Sequence, residues 1–328
     1  MRRREFISLL GAMPAAVWPV RVHSQQDGRM RRIGILERGP EADRLIQAQR
    51  RALLEGLAKL GWIEGRNARF EVRVVAEEPD RVRTHAEELV GLAPDVIAVG
   101  SLVTTRALLE RTRTIPIVFA NVGDPVAGGL LKNIARPEGN ATGITSQYQS
   151  IAGKWLELLK EAAPNTARVA LVFVPGIVAE SYFPSIDAAA QALGIKAIRT
   201  PYRSAAELEH ALEAFAAEPN GGLLMVPPPP SHHRELLNQL AIKYRLPTVY
   251  SSKDYTVDGG MMSYGGGSIE PYRIAATYID RILRGAKISE LPVQFPTKFE
   301  LVINLKTAAA IGLTIPESLL FRADEVIK

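Results

Sequence analysis

The alternation of short apolar runs with amphipathic helical stretches constrains this chain more than any other feature. It begins at Arg31, and its first set has strand-like runs and helical patterns at 31–36, 42–60, 69–75, 80–92, 95–100, 103–113 and 115–120. Strands that alternate with helices predict a parallel sheet covered on both faces. A chain of 328 residues is too long for one ordinary core, which favours two lobes.

The same order restarts after the segment GNATGIT (139–145), which we expect to be a turn. A helical pattern at 151–162 is followed by strand-like runs at 168–174, 195–199, 222–226 and 247–250. The run IPIVFA of the first set and the run LPTVYS of the second match in character, including the position of the proline. No short repeat period accompanies this echo, so the sequence predicts two similar lobes rather than a solenoid.

The elements that remain after the second set predict that the lobes are discontinuous. A helical pattern at 271–284 and a strand-like run at 299–305 are too few for a third domain, and we expect them to complete the two sheets. A chain that crosses between two α/β lobes more than once makes a hinge. The predicted fold class is therefore α/β, with two similar Rossmann-like lobes that have parallel sheets and are joined by a multi-crossing hinge. The expected lobes are residues 31–145 plus 251–290 and residues 146–250 plus 291–328.

Residues 1–24 have the pattern of an export signal rather than that of a folded segment. Basic residues come first, and the apolar stretch that follows, from Phe6 to Val20, is too short and too interrupted by proline to span a membrane. The sequence RREFI at 3–7 resembles a twin-arginine export signal, and an ordinary arginine-rich secretory signal is the alternative. We expect residues 1–24 to be removed and the protein to be periplasmic.

Charge and cysteine content exclude several classes of protein. The formal net charge is +5, but the first 24 residues carry four arginines and one glutamate, so the rest of the chain has only +2. So small a charge gives no reason to expect nucleic acid or an anionic membrane as a partner. The chain has no cysteine, which excludes disulfides, thiolate chemistry and lipoprotein anchoring through a cysteine.

Candidate ligand-binding residues follow the predicted strands, because open α/β sheets bind ligands beyond the carboxyl ends of their strands. In the first lobe these residues are Glu37, Ser101, Thr104, Thr105, Asn121 and Asp124. In the second lobe they are Pro175, Tyr202, Tyr250, Ser251 and Asp254. We expect them to line a cleft between the lobes.

Two of these groups have a structural interpretation as well as a functional one. Ser101, Thr104 and Thr105 begin a predicted helix, where they either cap the helix or, with its free N–H groups, hold a carboxylate. Asp124 precedes Pro125, which fits a helix cap followed by proline at the first helical position. The Asp124 carboxylate also suits an ammonium group, through charge-assisted hydrogen bonds. We expect Asp124 both to cap and to line the cleft.

The sequence signals of catalysis, of cofactors and of metals are missing. The glycine run at 265–267 lacks the lysine of a phosphate-binding loop, and neither a dinucleotide fingerprint nor a GxSxG elbow occurs. His232 and His233 have no third ligand at a suitable spacing, so no metal site is expected. The four prolines at 227–230 are expected to shape a rigid loop at the cleft. We therefore predict no catalytic residue, no cofactor and no metal.

Longer phrases of the sequence resemble those of a known family. They include IPIVFANVGDPVAGGLLKNIARPEGNATGIT and the C-terminal AATYIDRILRGAKISELPVQFPTKFELVINLKTAAAIGLTIPESLLFRADEVI. These phrases are similar to those of the ABC-transporter substrate-binding family that includes tryptophan- and phenylalanine-binding members, whose fold is that of type I periplasmic binding proteins. The resemblance covers nearly all of residues 31–328.

The resemblance implies a periplasmic subunit of an ABC importer that captures a small molecule, an amino acid or related small carboxylate, without catalysis. It implies delivery to a membrane permease powered by a separate ATPase, and we expect a monomer. Carried over by position, the segments Ser101–Thr105, Asn121–Asp124 and Tyr250-Ser251 line the cleft. The alternatives are an exported ligand sensor, a regulator of the lac-repressor type and an exported α/β hydrolase. The regulator would need a DNA-binding head, and the hydrolase would need a nucleophile and a base.

Protein recovered from the periplasmic fraction should have its N-terminus near Gln25, because the predicted signal ends there. Intact-mass spectrometry measures this directly, and an uncleaved cytoplasmic chain would contradict the prediction. Replacing Arg3 and Arg4 with lysine should block export by the twin-arginine route. Normal export of that variant would leave the general secretory route.

Overall fold

The computed structural model describes residues 29–75, 79–145, 149–226 and 233–328, so the predicted export signal, the proline run at 227–230 and His232 lie outside the described residues. The strands are β1 (Arg31–Arg38), β2 (Ala68–Val75), β3 (Val96–Val99), β4 (Ile117–Val122), β5 (Ala141–Thr145), β6 (Arg168–Phe173), β7 (Lys196–Pro201), β8 (Gly221–Met225), β9 (Thr248–Tyr250), β10 (Met262–Gly265), β11 (Glu300–Asn304) and β12 (Glu325–Ile327).

The helices are α1 (Arg44–Lys59), α2 (Pro79–Gly91), α3 (Leu102–Arg111), α4 (Ile151–Ala162), α5 (Ile177–Glu180), α6 (Phe183–Leu193), α7 (Ala205–Ala216), α8 (Arg234–Lys243), α9 (Lys253–Val257), α10 (Glu270–Leu283), α11 (Leu305–Ala310) and α12 (Glu317–Arg322). A short 3-10 helix spans Ile288–Glu290. Within the described ranges, no helix combines the length and the apolarity needed to cross a bilayer.

The first sheet has five strands in the order β2-β1-β3-β4-β5, and all of its pairs are parallel. Helices α1 and α10 cover one face, and helices α2 and α3 cover the other. Along β3, Val96 and Ala98 pack on the first side, while Ile97 and Val99 pack on the second. Because the strand is buried on both faces, its sequence is a continuous apolar run rather than an alternating one.

The second sheet has seven strands in the order β12-β11-β10-β9-β8-β6-β7. Its pairs are parallel except that between β10 and β11, which is antiparallel. Helices α4, α6, α11 and α12 pack on one face, and helices α7 and α8 pack on the other. The predicted two-lobe α/β architecture is confirmed, with one antiparallel pair that the sequence pattern did not reveal.

The segment 251–290, which we expected to belong to the first lobe, is divided between the two sheets. Strand β10 pairs with β9 and β11, and the fully buried Met262 packs in the second core. Helix α10 packs on the first sheet, and the adjoining Leu291 lies in the same core. Strand pairing therefore places this crossing after β10, near residue 266, rather than at 251.

The segment GNATGIT forms a strand rather than the expected turn. Strand β5 pairs in parallel with β4, and all five of its residues are buried. The Thr142 hydroxyl donates to the Leu291 carbonyl at 2.6 Å, which satisfies a polar group in the core. A Cβ atom on Gly143 would lie 2.0 Å from the Phe119 carbonyl oxygen, so only glycine permits this pairing. Glycine and threonine at these positions hid the strand from a search for apolar residues.

Three connections cross between the lobes, after β5, after β10 and before β11. The third runs alongside the first sheet, since the Thr145 N–H donates to the Gln294 carbonyl at 2.8 Å and the Gln294 N–H donates to the Gly143 carbonyl at 3.0 Å. These backbone bonds fix the third crossing beside the first, as a hinge requires.

Helix α10 returns from the second sheet to pack on α1, and the two helices come close at Gly56. A Cβ atom at this position would lie 2.7 Å from the Cβ atom of Ala276. The segment that follows α1 is also tied to α10, because the Trp62 indole donates to Asp280 Oδ1 at 2.9 Å. The close packing of α1 and α10 on this face of the first sheet therefore depends on the glycine at position 56.

Replacing Gly56 with leucine should lower the free energy of unfolding by about 1–3 kcal/mol, because the larger side chain separates α1 from α10. Urea unfolding measures the change. Gly91 lies at the exposed end of α2 with nothing within 4 Å of an added Cβ atom, so Gly91→Leu is the matched control. An equal loss in both variants would contradict the close α1–α10 packing.

Candidate ligand-binding cleft

The carboxyl ends of the two sheets face each other, and polar side chains from both lobes meet there. The segment after β1 supplies Asp43, and the segment after β4 supplies Asp124. On the other side, Arg234 is the first residue of α8, and Gln149 precedes α4. The Arg234 guanidinium lies 3.7 Å from Asp43 Oδ2, and the Gln149 amide donates to Asp124 Oδ2. These two contacts define the interlobe cleft.

Ser101 caps helix α3, as the structural interpretation of its position predicts. Its Oγ accepts the Thr104 N–H at 3.2 Å, and its carbonyl accepts the Thr105 hydroxyl at 2.6 Å. Thr104 and Thr105 are fully buried, so their hydroxyls serve the helix start rather than a surface. The N–H groups of Leu102 and Val103 lie in the first turn, ahead of the intrahelical ladder, and they carry the positive end of the helix dipole.

The segment after β4 differs from the expectation, because no helix begins at Pro125. Residues 125–129 form turns instead. Asp124 keeps the predicted capping role, since its Oδ1 accepts the N–H groups of Val126 at 2.8 Å and Ala127 at 3.0 Å. Aspartate commonly stabilises turns in this way.

Glycine explains why this turn does not continue as a helix. Gly129 has a φ of 68°, in the left-handed region. A Cβ atom on Gly128 would lie 2.5 Å from the Leu102 side chain, and the Gly128 carbonyl accepts a hydrogen bond from Arg106 at 2.6 Å. The turn therefore packs tightly on α3, which brings the Asp124 segment beside the helix start at Ser101.

The second carboxylate oxygen of Asp124 faces the other lobe. It accepts the Gln149 amide, and the charge of Asp124 also acts on Tyr182, which is buried and stacks on Trp155 with ring centroids 6.0 Å apart. Burial, and then the charge of Asp124, raise the pKa of the Tyr182 hydroxyl. Asp124 thus stands between the lobes with both of its oxygens engaged.

Asn121 begins a chain of polar contacts that crosses the hinge. Its φ of 58° is uncommon for a residue other than glycine. The Asn121 amide donates to the Ser268 carbonyl at 2.5 Å. Asp254 Oδ2 accepts the hydroxyls of Ser268 at 2.5 Å and of Ser252 at 2.6 Å. The chain connects the end of β4 to α9, so two of the predicted residues are joined through a serine that the sequence did not single out.

The predicted tyrosines lie in the core of the second lobe rather than on an open surface. Tyr202 is 1% exposed, and its ring centroid lies 5.5 Å from that of His233. Tyr250 is fully buried and stacks on Tyr255 at 5.0 Å. Burial raises the pKa of both the Tyr250 and the Tyr255 hydroxyls. The rings therefore pack in the core of the second lobe rather than on the surface of the cleft.

Glu37 is engaged by an arginine of its own lobe. Arg50 Nε lies 3.0 Å and 2.9 Å from the two carboxylate oxygens, and Glu37 is only 5% exposed. Burial raises the pKa of Glu37, while the hydrogen bonds and the charge of Arg50 oppose that rise. The geometry is that of an ion pair beneath the cleft, since this arginine takes both carboxylate oxygens.

Two further predicted residues, Pro175 and Ser251, shape the cleft side of the second lobe through their backbone more than through their side chains. Pro175 is half-buried and follows the end of β6. Ser251 is buried at the end of β9, where its carbonyl oxygen would lie 1.7 Å from a Cβ atom on Gly265. Both residues shape strand ends at the cleft side of the second lobe.

Sequence reasoning did not identify Asp43, Gln149, Tyr182, Arg234 or Ser268. Asp43 had a usable signal, because aspartate directly before a helical pattern is typical of an N-cap. Its side chain does cap α1, accepting the Leu45 N–H at 2.8 Å. The other four have no local signal, since each acts through a residue distant in the chain.

Metal coordination finds no support in the described parts of the chain, where no group of three or more potential protein ligands comes together. The arrangement offers carboxylates, amides, a helix start and one guanidinium around a cleft. Such groups suit the recognition of a small polar molecule by hydrogen bonds and charge.

Asn121→Gly should cost about 1 kcal/mol of unfolding free energy through the lost amide bond. Asn121→Ala should cost about 1–2 kcal/mol more, because alanine disfavours the left-handed backbone. Asn220, directly before β8, has the same φ of 58°, so its glycine and alanine variants isolate the backbone cost. Urea unfolding of the four variants measures both terms, and equal values for the two Asn121 variants would contradict the backbone assignment.

Comparison with known proteins agrees with this fold. A family model described as ABC transporter substrate binding protein matches residues 41–327. The tyrosine-binding protein of Clostridioides difficile (strain R20291) is 23% identical over 271 residues, which cover 82% of this chain and 77% of that protein.

Solved structures are similar over 91% of this chain and 100% of theirs. A conserved domain protein from Vibrio cholerae O1 biovar El Tor is 28% identical, with a TM-score of 0.83. An ABC domain in complex with L-Trp from Streptococcus pneumoniae is 21% identical, also with a TM-score of 0.83. A ligand-free, open substrate-binding protein with adhesive properties from Clostridium difficile is 19% identical, with a TM-score of 0.68. The family match spans most of the chain, and the chain therefore belongs to the ABC transporter substrate-binding protein family.

Proposed function

We propose that this protein captures an amino acid, or a related small carboxylate, between its two lobes and delivers it to an importer. As a substrate-binding subunit of an ABC transporter, it binds a small molecule for a membrane permease. The observation that carries the finer proposal is the placement of Asp124 beside the start of α3. The Asp124 carboxylate favours a positively charged group, and the start of α3 beside it favours a negatively charged one.

The ammonium group of the ligand is assigned to Asp124. The carboxylate sits between the lobes, where its Oδ2 accepts the Gln149 amide. An ammonium group is a stronger, charged donor to the same oxygen, so it would take the place of that amide. Oδ1 remains fixed by the N–H groups of Val126 and Ala127, which orient the carboxylate before the ligand arrives.

The carboxylate of the ligand is assigned to the N-terminus of α3. The N–H groups of Leu102 and Val103, together with the Ser101 hydroxyl, are donors at the positive end of a ten-residue helix. The contact of the 124–129 turn with Leu102 and Arg106 holds this helix start beside Asp124. Recognition of both ends of a zwitterion by one lobe would leave the second lobe to close over the side chain.

The remaining parts of the proposal concern the cellular setting. We assign the protein to the periplasm after export, as a monomer that performs no catalysis. Its partner is an inner-membrane permease with a separate ATPase. Support comes from the family, whose members are typically extracytoplasmic, and from the arginine-rich apolar sequence at 1–24.

A thermal-shift screen of the twenty amino acids and of small carboxylates, followed by calorimetric titration, tests the proposal. We expect saturable one-to-one binding of at least one amino acid, with the ligand recovered unchanged. Binding of only uncharged sugars or nucleosides would overturn the ligand class. Chemical conversion of the ligand would overturn the absence of catalysis.

Asp124→Asn should weaken binding of the identified ligand while the protein stays folded. Asparagine keeps an Oδ1 acceptor for the turn but loses the charge that holds the ammonium group. Removing a charged hydrogen-bond partner costs roughly 1.5–3 kcal/mol, or about one to two decades in affinity. Calorimetric titration measures the change, and unaltered affinity would leave Asp124 as a turn residue only.

Asn133 supplies the control for a loss of the turn itself. Its Oδ1 accepts the N–H groups of Ala135 at 2.9 Å and Arg136 at 3.2 Å, as Asp124 does in its own turn. The residue is exposed. Asn133→Ala should lower stability slightly without altering ligand affinity, whereas Asp124→Ala should lower both.

A further inference from the structure

Arg234 is held in place by its own lobe. Its Nε lies 2.7 Å from Asp258 Oδ2, and its guanidinium carbon lies 5.7 Å from the ring centroid of Tyr255. The side chain is only 11% exposed. An arginine fixed by an ion pair and an aromatic face loses little further freedom when it meets another anion.

That anion comes from the opposite lobe. Asp43 Oδ1 accepts the N–H groups of Leu45 and Ile46 at the start of α1, which leaves Oδ2 directed to Arg234 at 3.7 Å. Asp43 is 10% exposed, so the pair is largely withdrawn from water. Charges placed in this way interact more strongly than an exposed surface pair.

The two partners belong to different lobes. Asp43 is fixed to the first sheet through α1, and Arg234 is fixed to the second sheet through α8. Opening the hinge separates Asp43 from Arg234 but leaves the pair of Arg234 with Asp258 intact. The energy of the Asp43–Arg234 contact is therefore present only when the lobes are close together.

We infer that Arg234 positions the two lobes for ligand capture, by stabilising the closed arrangement through Asp43 before any ligand binds. The inference rests on the proposed function in that closure traps the ligand. A closed state that is already populated lowers the cost of closing on the ligand, which raises apparent affinity and slows release.

Distances between the lobes of the ligand-free protein test this directly. The chain has no cysteine, so Arg51→Cys in α1 and Glu209→Cys in α7 give two unique sites for spin labels at exposed positions. Pulsed electron paramagnetic resonance then reports the populations of short and long separations. No ligand takes part, so the outcome is independent of which molecule the cleft accepts.

Arg234→Gln and Asp43→Asn should each lower the ratio of closed to open protein by about three- to fivefold, the effect expected of one ion pair. Asparagine still caps α1, so Asp43→Asn removes the charge without disturbing the helix. In the double variant the ratio of closed to open protein should be no lower than in the more affected single variant, because the two residues act as one pair. Salt at about 0.5 M should lower the ratio of closed to open parent protein toward that of the variants, because salt screens the ion pair.

Arg199→Gln is the matched control, since it removes the same charge from a pair with Asp187 that lies wholly within the second lobe. Its distance distribution should equal that of the parent. Unchanged distributions in both Arg234→Gln and Asp43→Asn would overturn the inference. An equal shift in Arg199→Gln would also overturn it, because the effect would then come from net charge.

Discussion

Parallel strand pairing within each lobe determines which loops meet at the cleft. It sends the connections after β1, β3 and β4 to a single edge of the first sheet, so Asp43, Ser101 and Asp124 meet although they are far apart in sequence. The return of α10 and β11 then supplies the crossings that hold the two edges opposite each other.

Polar groups at the cleft already have partners within the protein. Asp124 accepts an amide from Gln149, Asp254 accepts two serine hydroxyls, and Asp43 faces Arg234. A ligand therefore exchanges hydrogen bonds rather than adding them, and the net gain for each exchange is small. Affinity must then come from charge matched to charge, from apolar burial of the ligand and from the low cost of closing lobes that already touch.

The sequence was sufficient for the two-lobe α/β fold, because periodic apolar patterns are long and repeated. The sequence pattern did not reveal strand β5, because Gly143 and buried threonines form its pairing in place of apolar residues. It also predicted a helix from Pro125, where residues 125–129 form turns and Gly128 packs on Leu102. The rule that ligands bind beyond the carboxyl ends of parallel strands selected Ser101, Asn121, Asp124 and Asp254, which lie on the cleft side in the structure. It could not reveal Gln149, Ser268 or Arg234, since their partners are set by how the lobes approach and not by neighbouring residues.

A crystal structure of the protein with its identified ligand shows whether the interlobe cleft is the binding site. We expect density between the start of α3 and the turn at Asp124, with an ammonium group in place of the Gln149 amide. A cavity of ≈ 580 Å³ adjoins the third crossing and is lined by Ser268, Arg273, Phe295 and Lys298. Ligand density in that cavity, with an empty cleft, would show that the ligand does not bind between the lobes.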